Sequence, residues 1–280
     1  MSTKILIGCD FSEESKVAIE TGIEWAKILK CDPVVLYIEE RKSESKELAE
    51  GLHEKLVNEI SSVITDEYAI ENCRVEFGPK ETVLALEIKR TNAKILVLGT
   101  RSESNLRNKF LGTTTENALK NVTIPILAVK DEKVAKPIRL LWALDLTEIT
   151  LFTFEWIKIL AGYFKASVMI ANVVSAKDYD KRNKRRKGLD SLFDEEIGEQ
   201  IQLYIEELRR EGIEVDAILR PNEGQSIVEV IESMADETES DLVIMGSHSR
   251  KGIKKLLLGS VTENSISKGT KSVFIIKNPS

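Results

Sequence analysis

Two glycine-centred stretches of the sequence have the residue types that bind phosphate. In each copy an apolar run ends in a glycine, a polar loop follows, and a second glycine stands next to a hydroxyl residue; the copies are Gly99 with Gly112-Thr113 and Gly246 with Gly259-Ser260. Glycine lets a ligand approach the main chain, and a helix start with a hydroxyl side chain offers N–H and O–H donors to phosphate oxygens. A tight turn followed by a helix cap would use the same residues, so both interpretations stay open.

An aspartate near the start of each half is a second candidate for ligand binding. Asp10 and Asp145 each follow an apolar segment that is typical of a buried strand. A carboxylate at this point, where the loops after neighbouring strands converge, would bind a ribose hydroxyl or a metal-bound water. Capping of the next helix is the alternative, but Ser12 and Thr147 are also available for that role. Their presence favours ligand binding by the two aspartates.

These features recur because the sequence contains an internal repeat. The two glycines are 13 positions apart in both copies, and Glu-Asn follows each second glycine. A chain of 280 residues is also long enough for two domains of ordinary size. We therefore predict one domain at residues 1–132 and another at residues 137–280, joined by a short charged linker.

Apolar strands alternate with amphipathic helices in both halves, which predicts an α/β protein. Right-handed crossovers would give two tandem Rossmann-like domains, each a five-stranded parallel sheet flanked by helices. The last strand of the first half contains Pro125 and should lie at a sheet edge, because proline cannot donate to a strand ladder. The second half ends in a similar apolar strand at 272–277, so we expect the two halves to pair through these edges.

The composition limits the classes of partner. The formal net charge is −6, whereas binding to nucleic acid or to a membrane surface needs positive surface. No apolar run is long enough to cross a bilayer, and the N-terminus lacks the pattern of a secretory signal, so a cytoplasmic location is expected. The basic run at 181–187 is a local exception, which is either a solvated loop or a contact with phosphate or a partner.

Residues for metal or nucleophilic chemistry are few. The three cysteines, Cys9, Cys31 and Cys73, are odd in number and lack CxxC spacing, so buried thiols are expected and neither a disulfide framework nor a zinc site is indicated. The two histidines, His53 and His248, have no partners at the spacing of a catalytic triad or a metal site. We therefore assign no catalytic residue and no metal ligand.

The duplicated pattern resembles tandem members of the universal stress protein family, over essentially the whole chain. Nucleotide-binding members of that family have Gly-x-x-Gly-x9-Gly-(Ser/Thr) after the fourth strand and an aspartate after the first. This sequence has serine in place of the middle glycine, at Ser102 in one half and Ser249 in the other. The resemblance implies a stress-response protein that binds ATP or a related adenine nucleotide, with or without Mg²⁺.

The resemblance also implies which residues would hold the nucleotide. In the second half, the aspartate and the end of the second strand would hold the adenosine part, and the glycine loop would surround the ribose and phosphates; the set is Asp145, Thr147, Val173, Met245, Gly246, Ser249, Arg250, Gly259, Ser260 and Val261. The corresponding first-half set is Asp10, Ser12, Ile38, Gly99, Ser102, Gly112 and Thr113. The basic second-half loop would attract phosphate, whereas Glu103 in the first half would repel it, so binding is expected mainly in the second half.

Two other functions stay open at this point. A nucleotide-free interaction scaffold is favoured by the two serines and opposed by the presence of both aspartates. An adenylyl-transferring or ATP-hydrolysing enzyme would need a general base or nucleophile beside the phosphate loop, and no such residue stands out, so at most slow hydrolysis is expected. The sequence does not decide whether two chains form a homodimer.

Overall fold

Strands and helices alternate through both halves of the chain. The computed structural model describes residues 3–40, 45–64, 71–100, 121–174, 195–247 and 260–277. The elements of the first half are β1 (Lys4–Cys9), α1 (Glu13–Leu29), β2 (Asp32–Glu39), α2 (Lys46–Val63), β3 (Cys73–Phe77), α3 (Lys80–Thr91), β4 (Ala93–Gly99) and β5 (Ile126–Val129). Those of the second half are β6 (Arg139–Ala143), α4 (Thr150–Phe164), β7 (Ser167–Val174), α5 (Glu195–Arg210), β8 (Val215–Pro221), α6 (Ile227–Glu237), β9 (Leu242–Gly246), α7 (Ser260–Lys268) and β10 (Val273–Ile276).

The ten strands form one sheet, in the order β3-β2-β1-β4-β5-β10-β9-β6-β7-β8. Within each half the five strands are parallel, as the sequence predicts. Between the halves β5 pairs antiparallel with β10, and Leu127 lies opposite Phe274. The two parallel sheets are therefore continuous. The strands of one half run in the opposite direction to those of the other half, so the carboxyl ends of the two sets lie along opposite edges.

Side chains as well as main chains join the halves where β5 meets β10. The main-chain N–H of Lys130 donates to Ser272 Oγ at 3.0 Å. The Nζ of the same lysine donates to the carbonyl oxygen of Ile266, in the last turn of α7. Lys130 is only 2% exposed, and a buried ammonium is costly unless polar groups surround it. These contacts therefore make the junction specific.

Apolar side chains cover both faces of the sheet. Successive residues of a strand point to opposite faces, so Ile5 and Ile7 belong to one core and Leu6 to the other. Helices α1, α2, α4 and α5 contribute to the first core, and α3, α6 and α7 contribute to the second. Burial on both faces explains why the strands are nearly continuous apolar runs. No helix in the described part of the chain has the length and apolar composition of a membrane span.

Candidate functional site

Four segments of the second half come together at the carboxyl end of β6. The N–H of Leu144, just after β6, donates to the carbonyl oxygen of Ala171 on β7 at 2.8 Å. On the other side, Ala143 is in register with Met245 on β9. Thr262, in the first turn of α7, donates through Oγ1 to the carbonyl oxygen of Gly246 at 3.3 Å. The sheet extends from β6 to both sides, to β7 on one side and to β9 on the other, so β6 lies at the point where the strand order reverses. Open α/β sheets bind ligands at such a switch point.

The loop after β6 presents Asp145 at this edge. The aspartate is exposed, and its Oδ1 accepts a hydrogen bond from Thr147 Oγ1 at 3.0 Å. Leu146, between them, has a φ of 50°, a left-handed conformation that costs free energy in a residue with a side chain. The loop therefore holds a carboxylate and a hydroxyl side by side in a strained turn.

Helix capping does not explain this second-half loop. The residue in the N-cap position of α4 is Ile149, and no side chain makes a capping hydrogen bond there. The expected alternative role of Thr147 as the cap is therefore wrong. Instead, the Thr147 N–H donates to Thr150 Oγ1 at 2.7 Å, because the helix starts later than in the first half.

The corresponding loop of the first half has similar contacts and a different start of the helix. Phe11 has a φ of 62°, and Asp10 Oδ1 accepts hydrogen bonds from the N–H and from the hydroxyl of Ser12. Ser12 is also the N-cap of α1, since its Oγ accepts from the Ser15 N–H at 3.2 Å. Ser12 therefore caps α1, as predicted, and the role of Asp10 stays open.

An apolar surface lies beside the aspartate of the second half. Ala143, Val173 and Val261 are partly buried and pack on the core beneath α6 and α7. Met245 is 3% exposed within that core, so its side chain supports this surface from below. In the first half, Ile38 is 8% exposed at the position that corresponds to Val173. The second half thus has the more accessible apolar surface at this point.

Asn172 is a residue of this region that the sequence analysis did not identify. Its Nδ2 donates to the carbonyl oxygen of Leu144 at 2.8 Å, and the residue is 8% exposed. The bond ties the end of β7 to the residue that precedes Asp145. The signal available in the sequence was one carboxamide within the otherwise apolar end of the strand, Ala171 to Val174.

The glycines that end β4 and β9 are required by close packing. A Cβ added to Gly246 would lie 2.4 Å from Ile149 Cγ2, and one added to Gly99 would lie 2.4 Å from the carbonyl oxygen of Glu14. Both distances are far below van der Waals contact. The space freed by each missing side chain is therefore filled by the start of a helix, α4 or α1, so close packing by itself requires a glycine at these two positions.

Several of the predicted loop residues lie outside the described part of the chain, namely Ser102, Gly112, Thr113, Ser249, Arg250 and Gly259. The described residues that lead into and out of the second-half loop are Gly246 at the end of β9 and Ser260 and Val261 at the start of α7. Ser260 is exposed there. Within the described ranges, no group of three or more His, Cys, Asp or Glu side chains could hold a metal ion. The described residues therefore include those predicted to hold the adenosine part of the nucleotide, and they omit most of the loop predicted to hold the phosphates.

Comparison with known proteins places these features in a family. Universal stress protein MJ0577 of Methanocaldococcus jannaschii is 26% identical over 156 residues, which cover 50% of this chain and 94% of that protein. The crystal structure of a universal stress protein from Archaeoglobus fulgidus DSM 4304 covers 99% of both chains, with a TM-score of 0.70 and 19% identity. A universal stress protein from Archaeoglobus fulgidus in complex with dAMP covers 50% of this chain and 96% of its own, with a TM-score of 0.36 and 18% identity.

The family model matches nearly the whole chain, in two consecutive segments. It is the universal stress protein family, matched at residues 1–130 and again at residues 139–277. The two segments correspond to the two sets of five parallel strands. The chain belongs to the universal stress protein family and contains the family's domain twice.

Proposed function

We propose that the second half binds an adenine nucleotide, ATP or a close relative, in a stress response. The observation that carries the proposal is the exposed Asp145 carboxylate, held by Thr147 at the switch point of the parallel strands. A carboxylate in that position suits the hydroxyls of a ribose. Family membership supplies the choice of adenine, since nucleotide-binding members have an aspartate after the first strand and a glycine loop after the fourth.

The described residues fit the adenosine part of such a ligand. A purine ring needs an apolar surface and a few polar groups at its edge. Ala143, Val173 and Val261 supply the surface, and the main chain at the end of β7 supplies polar groups. The ribose and phosphates would lie toward Gly246, Ser249, Arg250, Gly259 and Ser260 of the glycine loop. Mg²⁺, where present, would be bound through phosphate oxygens.

The first half is proposed to bind nucleotide more weakly or not at all. Its aspartate loop is packed by aromatic rings, because the centroids of Phe11 and Tyr37 are 4.5 Å apart. Lys55, which belongs to α2, also covers this loop, because its Nζ lies 3.8 Å from the centroid of the Phe11 ring. Leu146 and Asn172 replace these two rings in the second half, which leaves a smaller and more polar loop there.

The test is to measure bound and added nucleotide on the purified full-length protein. The protein would be denatured and any released nucleotide identified by chromatography, and ATP with Mg²⁺ would be titrated into the stripped protein by calorimetry. The matched variants are Asp145→Ala in the second half and Asp10→Ala in the first. We expect about one nucleotide per chain, lost in Asp145→Ala and kept in Asp10→Ala. Two nucleotides per chain, or equal losses in both variants, would contradict the assignment to the second half.

A nucleotide-free interaction scaffold is the second candidate, and one observation favours it. Helix α4 exposes several large apolar side chains, namely Leu151 (66% exposed), Phe152 (44%), Ile159 (42%) and Tyr163 (47%). Helix faces of this kind commonly mark sites of protein association. Absence of any bound or titratable nucleotide in the experiment above would leave the scaffold as the better proposal.

A further inference from the structure

Helix α4 carries a row of large apolar side chains on its outer surface. We call this row the α4 stripe; its members, spaced so that they share one face of the helix, are Phe152, Trp156, Ile159 and Tyr163. Phe152 is 44% exposed, Ile159 42% and Tyr163 47%, and Trp156 is partly exposed. Apolar surface of this kind marks a site where another chain binds.

The equivalent helix of the first half shows that the fold does not require this stripe. Both helices end in a left-handed C-cap residue, Lys30 in α1 and Lys165 in α4, which sets the correspondence between them. The residues of α1 that correspond to the α4 stripe are Val17, Thr21, Glu24 and Ile28. Each is smaller or more polar than its counterpart, and each is buried or only partly exposed. The apolar exposure is therefore particular to the second half.

The linker at 131–136 covers the equivalent face of α1. Val134 packs against the core there, and its carbonyl oxygen accepts a 2.7 Å hydrogen bond from Trp25 Nε1. The Nζ of Lys133 lies 3.1 Å from Glu20 Oε2. The linker thus contributes an apolar side chain, a main-chain acceptor and a lysine, and the molecule itself shows what kind of segment suits this face.

Helix α4 has a carboxylate for the same lysine contact. Glu155 corresponds to Glu20, lies one turn from two members of the α4 stripe, and has a side chain that is 64% exposed. Its neighbour Lys158 is shared among three carboxylates, at 2.8 Å from Glu155, 2.8 Å from Glu207 and 3.9 Å from Glu211. One ammonium does not neutralise three carboxylates, so this border of the stripe attracts a cationic side chain.

The stripe also has an N–H donor for a main-chain acceptor. Trp25 and Trp156 contact the same ring from two helices, with centroids 5.7 Å and 5.5 Å from that of Phe274. Within the described part of the chain, Trp25 Nε1 has its partner at Val134, whereas Trp156 Nε1 has none. The indole of Trp156 is thus available to a segment that lies along α4.

The size of the stripe suits a short segment rather than a second folded surface. From Phe152 to Tyr163 the helix rises about 16 Å, which about five residues of an extended chain span. Four side chains that are at most half exposed present roughly 300–400 Å². A stable interface between two folded proteins takes about 800 Å² from each. The stripe alone is therefore too small to hold a second copy of this chain.

We propose that the α4 stripe binds an extended segment of another protein, in which an apolar residue about the size of valine adjoins a lysine. The segment makes at α4 the contacts that the linker makes at α1. This inference names the partner for the interaction scaffold and does not rest on the nucleotide site, so a failure to bind nucleotide leaves it standing.

The first arm of the test uses the linker sequence as the probe. A fluorescein-labelled peptide with the sequence of residues 130–137, Lys-Asp-Glu-Lys-Val-Ala-Lys-Pro, would be titrated with the full-length protein, in which α1 is already covered. We expect anisotropy to show one site per chain with a Kd on the order of 100 μM, weakened at least about 10-fold when the peptide carries Val134→Asp. No binding at about 1 mM protein, or equal binding of both peptides, would overturn the inference.

The second arm changes the stripe in the protein. Ile159→Glu introduces the residue type that α1 has at this position, and we expect it to weaken the peptide at least about 10-fold. Leu203→Glu is the matched control, because Leu203 is 62% exposed on α5 and the change in charge is the same; the affinity should stay within about threefold. Equal losses in the two variants would overturn the role of the stripe. Circular dichroism checks that both variants fold, as expected for exposed positions.

A charge exchange tests the lysine contact separately. Glu155→Lys should weaken the wild-type peptide and bind a peptide with Lys133→Glu more tightly than the wild-type protein does, whereas a structural effect would weaken both peptides alike. Sedimentation of the protein without peptide tests the other occupant. A dimer that Ile159→Glu dissociates, with no binding of the peptide, would overturn the inference and assign the stripe to a second copy of the chain.

Discussion

The indole Nε1 of Trp25 donates a 2.7 Å hydrogen bond to the carbonyl oxygen of Val134, 109 positions further along the chain. Trp25 belongs to α1 of the first half and is fully buried. Its ring centroid lies 4.9 Å from that of Phe164 on α4 and 5.7 Å from that of Phe274 on β10. One side chain of the first half thus contacts the segment between the halves and two elements of the second half.

Replacement of Trp25 should therefore destabilise both halves together. We expect Trp25→Ala to lower the free energy of unfolding by about 3–5 kcal/mol, because a large buried ring and a buried hydrogen bond are lost. The fluorescence of Trp142 and Trp156, which remain in the second half, would follow denaturant unfolding. Leu86→Ala is the control, since Leu86 is 59% exposed and should change stability by less than about 0.5 kcal/mol. An unchanged second-half transition in Trp25→Ala would show that the halves unfold separately.

The packing of Gly246 against α4 predicts opposite effects of alanine at two glycines. A methyl group at Gly246 would meet Ile149 Cγ2 at 2.4 Å, so Gly246→Ala should cost about 1–3 kcal/mol of stability through overpacking. Gly162 lies within α4 with no atom within 4 Å of an added Cβ, so Gly162→Ala should gain about 0.5–1 kcal/mol. Thermal unfolding of both variants checks the pair. A Gly246→Ala variant as stable as the wild type would mean that α4 can shift away from β9 freely.

The architecture could be predicted from the sequence because its determinants are local or repeated. Alternating apolar strands and amphipathic helices, present twice, fix the parallel order within each half. The cap at Ser12 was also predictable, because a serine preceding acidic residues satisfies the first N–H groups of a helix. The expectation that the last strand of the first half contains Pro125 was wrong, because β5 begins directly after it at Ile126, and proline has no N–H to donate to a strand ladder.

The details of the candidate site were less predictable because they depend on contacts between distant residues. Asn172 meets Leu144 across 28 positions, and the pattern of β7 alone does not give it a partner. Gly246 is needed because of Ile149, which belongs to a helix that starts almost a hundred positions earlier. That helix has Ile149 at its N-cap position, so Thr147 does not cap it. Ser12 occupies the same place in the first half and does cap its helix. Local rules cannot distinguish these two cases.

The three thiols should differ in reactivity. Burial raises the pKa of Cys9 to about 11 and that of Cys73 to about 12, and it also raises the pKa of Cys31, which is only partly buried. The thiolate is the form that reacts, so at pH 8 about a thousandth of Cys9 or less is reactive. We expect iodoacetamide to modify Cys31 first in the native protein, and Cys9 and Cys73 only after unfolding. Peptide mapping by mass spectrometry measures this order, with Cys31→Ser as the control that removes the early adduct. Equal rates at Cys9 and Cys31 would contradict it.

Lys277, just after β10, should make stability depend on alkaline pH. It is 4% exposed, and burial lowers its pKa to about 8, from about 10.4 in an unfolded chain. Between these two values the unfolded state binds more protons, so the contribution of this group to stability rises with pH through that window and is smallest below pH 8. The full change would be about 3 kcal/mol.

The Lys277→Met variant isolates this effect from other groups. Cys9 and Cys73 titrate in the opposite sense, because their raised pKa values in the folded state lower stability as pH rises above about 8.5. The variant and the wild type share those thiols, so their difference in unfolding free energy reports Lys277 alone. We expect Lys277→Met to hold an advantage at pH 7 that shrinks steadily up to pH 10, whereas Lys94→Met, at an exposed position, should follow the wild type. Denaturant titrations at several pH values measure the difference, and a constant value from pH 7 to pH 10 would mean that the buried amine keeps its ordinary pKa.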